Sequence, residues 1–414
     1  MRYLHPDHPE RAVRLAYCLN LHAAEDLAQL LDGMRRVTLP LRERLAPGRD
    51  FGVGMYLPGR LVELLVSDGG EAGREELRSF LTDHALDPFT FNAFPFSGFQ
   101  TDGLKQRVFE PTWLEDSRAA FTLGVALMAT YLAQPARGRH LSISTHTGMH
   151  SSRLRGAEDR EGCAANLAAL AASLARLEQD SGWRCVLSLE AEPRANCNDT
   201  AELARFRERI EEHAAAGLER HLGTCLDACH AAVEFEAVGD ALANATARSA
   251  PLGKLQVTSA IALPDPAEHA AAREQLFALD EPRFLHQVTG RGPAGLQRAG
   301  DLPELERAWT RGVPAWAACE EWRCHFHVPI DLERLGPEGL ITTRAYADRL
   351  LTAALARPQA WGTDELHVEI ETYTWDVLPS DARRSDSNAQ RVDALEAEYR
   401  HAMATLESAG WRPE

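Results

Sequence analysis

Positive charge is scarce in this sequence. Of its 414 residues, 44 are Lys or Arg and 61 are Asp or Glu, which gives a formal net charge of −17. Nucleic-acid binding requires a basic stripe that contacts phosphates, and electrostatic docking on an anionic membrane requires a basic patch. We therefore expect no nucleic-acid partner and no electrostatic docking on a membrane. With 45% hydrophobic and 25% charged residues, the composition is otherwise that of a packed globular protein.

The sequence also lacks long hydrophobic runs and paired cysteines. Its apolar stretches reach about ten residues, whereas a membrane-spanning helix needs roughly 20. Residues 1–14 contain no apolar core of a signal peptide. None of the eight cysteines forms a CxxC pair, and five lie in or beside apolar, strand-like runs. Free buried thiols explain this pattern better than disulfides or a zinc ribbon, so we expect a cytoplasmic protein.

The sequence also lacks one common motif of nucleophilic serine enzymes and one of nucleotide-binding enzymes. The sequence contains no GxSxG and no P-loop, which argues against a serine hydrolase of that type and against a P-loop nucleotide enzyme.

What the sequence does contain is a regular alternation of short, apolar, β-rich runs with longer segments of helical period. This alternation predicts βαβ units and parallel strand pairing. Eight such strands with polar residues at their carboxyl ends are typical of a (β/α)8 TIM barrel in the α/β class. An open, doubly wound sheet is the alternative, but it requires a Gly-rich turn after the first strand, and residues 21–24 offer none. The predicted strands are Leu15–His22, Phe51–Leu57, Phe89–Phe94, Leu141–His146, Cys185–Glu190, Gly223–Asp227, Lys254–Ser259 and Leu366–Tyr373, and the predicted helices are Glu25–Leu39, Val62–Leu81, Leu114–Leu132, Ala164–Gln179, Thr200–Ala216, Ala231–Ala247 and Thr343–Leu355.

We expect a single TIM-barrel domain over residues 1–414, with its core at about 15–379. Between the seventh strand and the last helix, residues 261–338 carry Pro and Gly clusters and two further strand-like runs, Phe284–Thr289 and Arg323–Ile330. We interpret this region as an insertion that holds a β-hairpin and caps the barrel mouth, a place where inserted loops often carry function. The segment at about 387–414 is predicted to be a helical tail.

Oxygen-bearing side chains close the fifth to eighth predicted strands. Glu190, Asp227, Gln256 and Glu371 each follow an apolar run, and Glu192 shares a face with Glu190. In a barrel the carboxyl ends of these strands are neighbours on one rim, so the four side chains would converge. Buried carboxylates repel one another unless a cation neutralises them, and oxygen ligands suit Mg²⁺ or Mn²⁺. A single Glu at a strand end is as often a solvated cap, but four on consecutive strands predict a divalent-metal site.

These side chains stand in motifs that resemble the xylose isomerase-like barrels of the sugar isomerase/epimerase superfamily. The motifs are Leu-Glu-x-Glu-Pro at 189–193, Leu-Asp-x-x-His at 226–230, Leu-Gln-Val at 255–257 and Val-Glu-Ile-Glu at 368–371. The resemblance implies that Glu190, Asp227, Gln256 and Glu371 bind the metal and that His230 contacts the substrate beside them. Mn²⁺ or Mg²⁺ is the expected ion, and Zn²⁺ or Co²⁺ is the alternative if histidines join the ligands.

Over about residues 15–379 the chain further resembles the EboE family, the metabolite traffic proteins of the bacterial ebo gene cluster. The motifs that carry this resemblance lie at 17–22, 91–96, 225–230, 325–329 and 369–375. It implies a role in handling or exporting a secondary metabolite, alongside membrane proteins of the same cluster. It supplies no reaction.

His325 and His327 stand two residues apart on a predicted strand, so both imidazoles can point at one ion. They follow the seventh strand, where the related endonuclease IV barrels take ligands for additional zinc ions. A second metal would then use these two residues, with His22, His146, His150 and His230 as further donors. The alternative, which we favour over a second metal, is that one of the pair packs and the other meets solvent. In either case we expect at least one of them at the pocket.

Our leading hypothesis is a metal-dependent isomerase or epimerase that acts on a small hydroxy-carbonyl metabolite. Glu190 and Glu371 would take and return a proton, and His230 would orient a substrate oxygen. The alternatives are a metabolite carrier or chaperone without turnover, and a metal-dependent hydrolase or phosphodiesterase of the endonuclease IV-like type. A homodimer is compatible with a barrel of this kind. Further candidate substrate contacts are Asn20, His22, His146, Lys254, Phe94 and Trp375, although Lys254 also suits a counter-charge to buried acids and strand-end aromatics also suit the core.

Overall fold

Eight parallel β-strands pair edge to edge and close on themselves to form a barrel. The computed structural model describes residues 1–133, 140–379, 382–383 and 385–414. Its strands are, in chain order, β1 (Arg2–His5), β2 (His8–Cys18), β3 (Phe51–Tyr56), β4 (Leu86–Asn92), β5 (Leu141–His146), β6 (Cys185–Glu190), β7 (Leu222–Asp227), β8 (Leu252–Val257), β9 (Ser259–Pro264), β10 (Val288–Gly292), β11 (Gly295–Ala299), β12 (Glu321–Val328), β13 (Arg334–Leu335), β14 (Leu340–Thr342), β15 (Glu365–Ile370) and β16 (Arg412–Pro413). The barrel consists of β2 to β8 and β15, and β15 pairs in parallel with both β8 and β2, which closes it.

Helices follow the barrel strands, and three more lie in the insertion between Ala270 and Ala317. They are α1 (Leu27–Gly33), α2 (Leu39–Leu45), α3 (Gly59–Val66), α4 (Glu71–Asp83), α5 (Asp116–Leu132), α6 (Ala157–Ser181), α7 (Thr200–His213), α8 (Ala228–Val233), α9 (Val238–Ala245), α10 (Ala270–Phe277), α11 (Leu302–Thr310), α12 (Pro314–Ala317), α13 (Arg344–Leu355) and α14 (Asn388–Ser408). A π-helical segment, Met34–Thr38, joins α1 to α2. No helix in the described part of the chain is long and apolar enough to cross a membrane.

The barrel strands are buried on both faces, which explains their nearly continuous apolar sequences. From β3 onward each barrel strand is buried along its whole length. Lys254 on β8 and Glu369 on β15 are polar exceptions, and they form a fully buried ion pair with each other. Gly54 on β3 makes room for this pair, because a Cβ at that position would overlap Oε1 of Glu369.

The predicted barrel is confirmed, and the strand boundaries differ where local structure intervenes. β5 and β6 begin and end as predicted. The first barrel strand begins earlier, at His8, because its leading residues form a hairpin with β1. It ends at Cys18, since a 3₁₀ turn, Leu19–Leu21, replaces the predicted strand end. The last barrel strand ends at Ile370, so Glu371 lies just beyond it.

Two predicted helices are each interrupted. Val62–Leu81 is split into α3 and α4 by a 3₁₀ turn, Asp68–Gly70, which contains two of the glycines that disfavour a helix interior. Ala231–Ala247 is split into α8 and α9, because Phe235 adopts a left-handed backbone conformation with φ of +58°. The two glycines mark the first break in the sequence, whereas periodicity does not reveal the second, since apolar positions continue across it.

The insertion contains a β-hairpin, as predicted, but the two predicted strand-like runs overlap β10 and β12, and further strands were not predicted. Between β8 and α13, six strands form an antiparallel sheet in the order β11-β10-β12-β9-β14-β13, and β10 with β11 is the hairpin. The pairing of β12 with β9 is interrupted between Cys324 and Val328. Irregularities of this kind re-aim side chains and occur next to active sites. Here the interrupted stretch contains both His325 and His327.

Candidate functional site

A cavity lies at the carboxyl ends of the barrel strands, next to the inserted sheet. Its floor is formed by residues that close or follow β2, β4, β6 and β15, and one wall by β12. Its empty volume, counted together with the solvent space at its open mouth, is about 500 Å³. The polar residues of the floor and of this wall are Asn20, Asn92, Glu190, Glu192, His230, His325, His327 and Glu371.

Three histidines bring one ring nitrogen each to the same region of the cavity. Nε2 of His230 lies 3.2 Å from Nε2 of His325 and 3.3 Å from Nε2 of His327. His230 comes from α8 and the other two come from β12, so the cluster joins the barrel to the insertion. Burial lowers the pKa of His230 to about 3 and that of His327 to about 4, and it lowers the pKa of His325 well below its ordinary value. The three imidazoles are therefore neutral, which is the form that binds metals.

The other ring nitrogen of each histidine is held by an oxygen acceptor. Nδ1 of His230 lies 3.0 Å from the carbonyl oxygen of Ala191, and Nδ1 of His327 lies 2.8 Å from that of Glu371. Nδ1 of His325 lies 2.5 Å from Oε1 of Gln287. Because these oxygens accept, each Nδ1 carries the proton and each Nε2 presents a lone pair. Three lone pairs at this separation repel one another unless a cation lies between them.

A carboxylate and an amide complete this cluster. Oε2 of Glu192 lies 3.1 Å from Nε2 of His230. Gln287 ties the set together, because its Oε1 accepts from His325 and its Nε2 donates to Oε1 of Glu192 at 2.9 Å. Burial raises the pKa of Glu192 to about 8, against the lowering effect of the Gln287 hydrogen bond. We call His230, His325, His327 and Glu192 the histidine cluster.

Two further carboxylates line the cavity beside the histidine cluster. Oε1 of Glu371 accepts hydrogen bonds from the side-chain amides of Asn20 at 2.8 Å and Asn92 at 2.7 Å. Oε1 of Glu190 lies 3.3 Å from Nδ1 of His230. Burial raises the pKa of both glutamates well above the ordinary value, and neighbouring carboxylates raise it further. A bound cation would relieve this crowding of buried acids.

Asp227 and Gln256, the other two predicted metal ligands, are buried, and neither is among the residues that line the cavity. Oδ1 of Asp227 accepts the backbone N–H of His230 at 2.9 Å and caps α8, so the Asp-x-x-His motif places the histidine one turn into that helix. Burial raises the pKa of Asp227, while the nearby His327 lowers it. Oε1 of Gln256 accepts from Sγ of Cys225 at 2.9 Å. Of the four predicted ligands, Glu190 and Glu371 line the cavity.

Lys254, a predicted substrate contact, lies one layer deeper in the barrel. Its Nζ is 2.8 Å from Oε2 of Glu369 and also donates to Ser144 and to the carbonyl of Phe91. Burial by itself would lower the pKa of Lys254, but the ion pair with Glu369 and other neighbours raise it instead. Lys254 shares the face of Gln256 but stands two residues earlier on β8, which places it below the cavity as the counter-charge of a buried acid.

The remaining predicted substrate contacts are Asn20, His22, His146, Phe94 and Trp375. Asn20 and Phe94 line the cavity. His22 turns away, with its Nε2 3.0 Å from the hydroxyl of Tyr17, because the chain after β2 bends into a 3₁₀ turn. The ring of His146 is buried and packs edge-on against Phe94 at a centroid distance of 5.0 Å. Trp375 is buried in the hydrophobic core.

For three residues of the site, the sequence analysis did not predict the role that the structure shows. Asn92 closes the third barrel strand as Asn20 follows the first, and this repetition was an available signal. Glu192 was expected to share a face with Glu190, but no pattern linked it to histidines far along the chain. Gln287 carries no sequence signal, because its partner Glu192 is 95 residues away.

The histidine cluster fits a divalent metal ion. A tetrahedral ion with ligands at 2.0–2.1 Å holds its ligand atoms about 3.3 Å apart, and the Nε2 separations from His230 are 3.2 and 3.3 Å. Hydrogen bonds from Nδ1 to carbonyl or amide oxygens are also typical of metal-binding histidines. The ligand atoms of Asp227, His230 and His327 likewise lie within 4.8 Å of one another. Nitrogen-rich donors favour Zn²⁺, Co²⁺ or Mn²⁺ over Mg²⁺.

The fold is similar to that of several solved structures. D-psicose 3-epimerase from Clostridium cellulolyticum H10, in a structure with D-tagatose, aligns with a TM-score of 0.50 and 11% identity over 95% of this chain and 99% of that chain. The IolI protein with a bound zinc atom aligns with a TM-score of 0.47 and 11% identity over 95% and 98% of the two chains. The probable 3-DHS dehydratase AsbF from Bacillus anthracis aligns with a TM-score of 0.44 and 11% identity over 94% and 99%.

At 11% identity the likeness to the epimerase bears on the fold alone, a (β/α)8 TIM barrel, as the sequence predicted. No family model and no curated protein matches the chain. The more specific resemblance to the EboE family therefore stays a prediction.

Proposed function

We propose that this chain is a divalent-metal-dependent enzyme that isomerises or epimerises a small hydroxy-carbonyl metabolite. The observation that supports it most is the convergence of three unprotonated histidine nitrogens and the Glu192 carboxylate, beside two further acids in one cavity. In this proposal the histidine cluster holds the ion. Asp227 positions His230, and Gln256 has no direct contact with substrate.

A bound divalent ion would polarise the substrate carbonyl and acidify the adjacent C–H. The chain supplies the groups that move the proton. Glu190 is the last residue of β6 and Glu371 follows β15. These strands are three places apart around the barrel of eight, so the two carboxylates approach the cavity from different sides. Oε1 of Glu371 is held by Asn20 and Asn92, which leaves Oε2 for a substrate proton.

This arrangement accounts for either stereochemical outcome. If one carboxylate removes the proton and the other returns it on the opposite face, the carbon is epimerised. If a single carboxylate moves the proton between neighbouring carbons, and the hydroxyl proton passes from the one oxygen to the other, the carbonyl is isomerised to the neighbouring carbon. The buried site excludes bulk water and so protects the intermediate from side reactions.

The proposal is tested by metal analysis combined with solvent deuterium uptake. We expect the purified protein to bind one Zn²⁺, Co²⁺ or Mn²⁺ per chain at the histidine cluster, and His325→Ala with His327→Ala to abolish this binding. Glu371→Gln should retain the ion but lose deuterium incorporation next to the carbonyl of hydroxyacetone. His269→Ala, an exposed histidine of the same insertion, is the matched control and should change neither. A cluster variant that keeps full metal occupancy would refute the ligand assignment.

A second candidate function is a metal-dependent hydrolase or phosphodiesterase. It is favoured by the acids beside the histidine cluster, because Oδ2 of Asp227 is buried with no hydrogen-bond partner among the described residues, and Glu190 and Glu371 stand close to it. These groups could hold a second ion, as two-metal hydrolysis requires. Elemental analysis that finds two or more ions per chain would favour the hydrolase, and one ion favours the isomerase.

We further propose, on the motif resemblance to the EboE family, that the reaction serves an ebo-cluster pathway of secondary-metabolite handling or export. In that setting the protein would be cytoplasmic and would pass its product to membrane proteins of the same gene cluster. Co-purification with those proteins from the native host tests this proposal. A carrier without turnover would instead bind its metabolite equally well after metal removal.

A further inference from the structure

The cavity has two chemically different halves. Its floor and the β12 wall carry acids, amides and histidines, as described above. The remaining walls are largely carbon, formed by side chains from the segment after β4, from the insertion just before β10, and from the residues after β15. The apolar side chains used in the argument below are Phe94, Phe99, Phe284, Leu285 and Tyr373.

Three of these residues form an aromatic cluster directly beside the histidines. The ring centroids of Phe99 and Tyr373 are 4.5 Å apart, those of Phe99 and Phe284 are 5.3 Å apart, and those of Phe284 and Tyr373 are 5.0 Å apart. Tyr373 also stacks on His327 at 4.5 Å. A ligand at the histidine cluster therefore has aromatic rings beside it.

The aromatic cluster belongs to a small apolar group over the cavity that is separate from the main hydrophobic core. Phe99 and Phe284 pack in a small apolar group with Leu104, apart from the core of the barrel. The two chain segments that carry them are joined by backbone hydrogen bonds, from Gly103 to Pro282 and from Lys105 to Arg283, both of 2.9 Å. The carbon surface is thus held in place by the fold and does not depend on a ligand to form.

Two cations at the cavity do not change this picture. Lys105 and Arg283 both line it. However, Nζ of Lys105 is 2.8 Å from Oδ2 of Asp301, and Nε of Arg283 is 3.4 Å from Oδ1 of Asp102. Because each already has an acidic partner, the cavity does not require an anionic ligand.

A free sugar is a poor match for such a cavity. Its hydroxyls surround the carbon frame, and those that face the phenylalanine rings would lose water without gaining a hydrogen-bond partner, which is unfavourable. A molecule with oxygens at one end and a hydrocarbon ring at the other satisfies both halves, since aromatic rings pack well against one another at these spacings.

We propose that the substrate is an α-hydroxy ketone or related hydroxy-carbonyl group carried on an apolar or aromatic ring, rather than a free sugar. The oxygen-bearing end lies at the histidine cluster and the ring lies against Phe99, Phe284 and Tyr373. The hydroxy-carbonyl part of this substrate class rests on the proposed function, because that proposal assigns the chemistry to the polar floor of the cavity. The preference for a ring rests only on the apolar walls.

The test compares two probes that share one head group. 2-Hydroxy-1-phenylethanone and hydroxyacetone carry the same α-hydroxy ketone, and only the first has a ring; D-fructose serves as the free sugar. Binding is measured by calorimetry with the Zn²⁺-loaded protein. We expect the phenyl compound to bind at least about tenfold more tightly than hydroxyacetone and D-fructose. Phe99→Ala and Phe284→Ala should each reduce that preference to about threefold or less, while leaving hydroxyacetone binding nearly unchanged.

Phe80→Ala is the matched control, because Phe80 is a buried phenylalanine on α4 and outside the cavity. It should preserve the full preference. D-fructose binding as tightly as the phenyl compound would overturn the inference, as would a preference that survives both cavity variants. Failure of the proposed function gives a different result: the ring preference persists, but no deuterium enters either ketone and metal removal leaves binding intact.

Discussion

Gln287 offers the sharpest single test of the histidine cluster. It is fully buried just before β10, and its side chain contacts two proposed ligands at once. Its Oε1 accepts from Nδ1 of His325 at 2.5 Å, and its Nε2 donates to Oε1 of Glu192 at 2.9 Å and to the carbonyl of Pro193 at 3.0 Å. Gln287→Leu keeps the approximate volume and removes all three hydrogen bonds.

The expected effect follows from the role of such partners in metal sites. Losing one hydrogen bond that orients a ligand weakens metal binding about 10- to 100-fold. Because Gln287 orients two ligands, we expect a loss near the upper end, about 100-fold or about 2.7 kcal/mol in binding free energy. The metal-free protein should lose about 1–3 kcal/mol of stability, since Glu192 is left with one fewer donor in a buried site.

The assay is a competition titration of Zn²⁺ against a chromophoric chelator at pH 7.5. Urea unfolding of the metal-free protein checks that the variant folds. Gln297→Leu, on the neighbouring strand β11 and outside the cavity, is the matched control and should bind Zn²⁺ like the wild type. A folded Gln287→Leu protein with Zn²⁺ affinity within about twofold of the wild type would show that His325 and Glu192 are not ligands.

Two further predictions concern stability. Lys254→Met leaves the buried Glu369 carboxylate without its ion-pair partner and should lower the free energy of unfolding by about 3–5 kcal/mol at pH 7.5. The double variant Lys254→Met with Glu369→Leu should recover most of this loss in urea titrations. A Lys254→Met protein within about 1 kcal/mol of the wild type would contradict the role of the pair. His140 stacks on His367 at 4.2 Å, and burial lowers the pKa of His140 to about 3. Because this folded-state pKa lies below the unfolded value of about 6.5, the protein loses stability as the pH falls from about 6.5 toward 3, by up to about 1.4 kcal/mol per pH unit for this one group. His140→Phe should make the free energy of unfolding between pH 6.5 and 5 less dependent on pH by that amount, and an unchanged pH dependence would argue against a neutral buried His140.

Much of the barrel could be predicted from sequence because its signals are local. Strands β5 and β6 read as apolar runs with a polar residue at the carboxyl end, and both boundaries were correct. Because every strand of a closed parallel sheet is buried on both faces, each strand has its own continuous apolar sequence and can be recognised without reference to the others. The same logic placed Glu190 and Glu371 at one rim, where both line the cavity.

Two of the differences between the predicted and the observed elements have one cause: the spacing of apolar residues does not reveal the local backbone conformation. Phe235 takes a left-handed conformation and divides one predicted helix. The 3₁₀ turn Leu19–Leu21 turns His22 toward Tyr17. In both places the residue types are compatible with the predicted element, and the surrounding tertiary structure selects another.

The sequence by itself determined the eight-stranded barrel and the rim on which its acids would gather, because strand and helix periods and strand-end polarity are properties of neighbouring residues. Only the tertiary structure decided which groups meet at the centre of the cavity. The convergence of His230 with His325 and His327 depends on how an inserted antiparallel sheet folds back over the barrel and on the interruption in β12 that aims both imidazoles inward. The register of that sheet and its position on the barrel depend on packing between segments about a hundred residues apart in the chain. A local sequence pattern cannot predict such a contact.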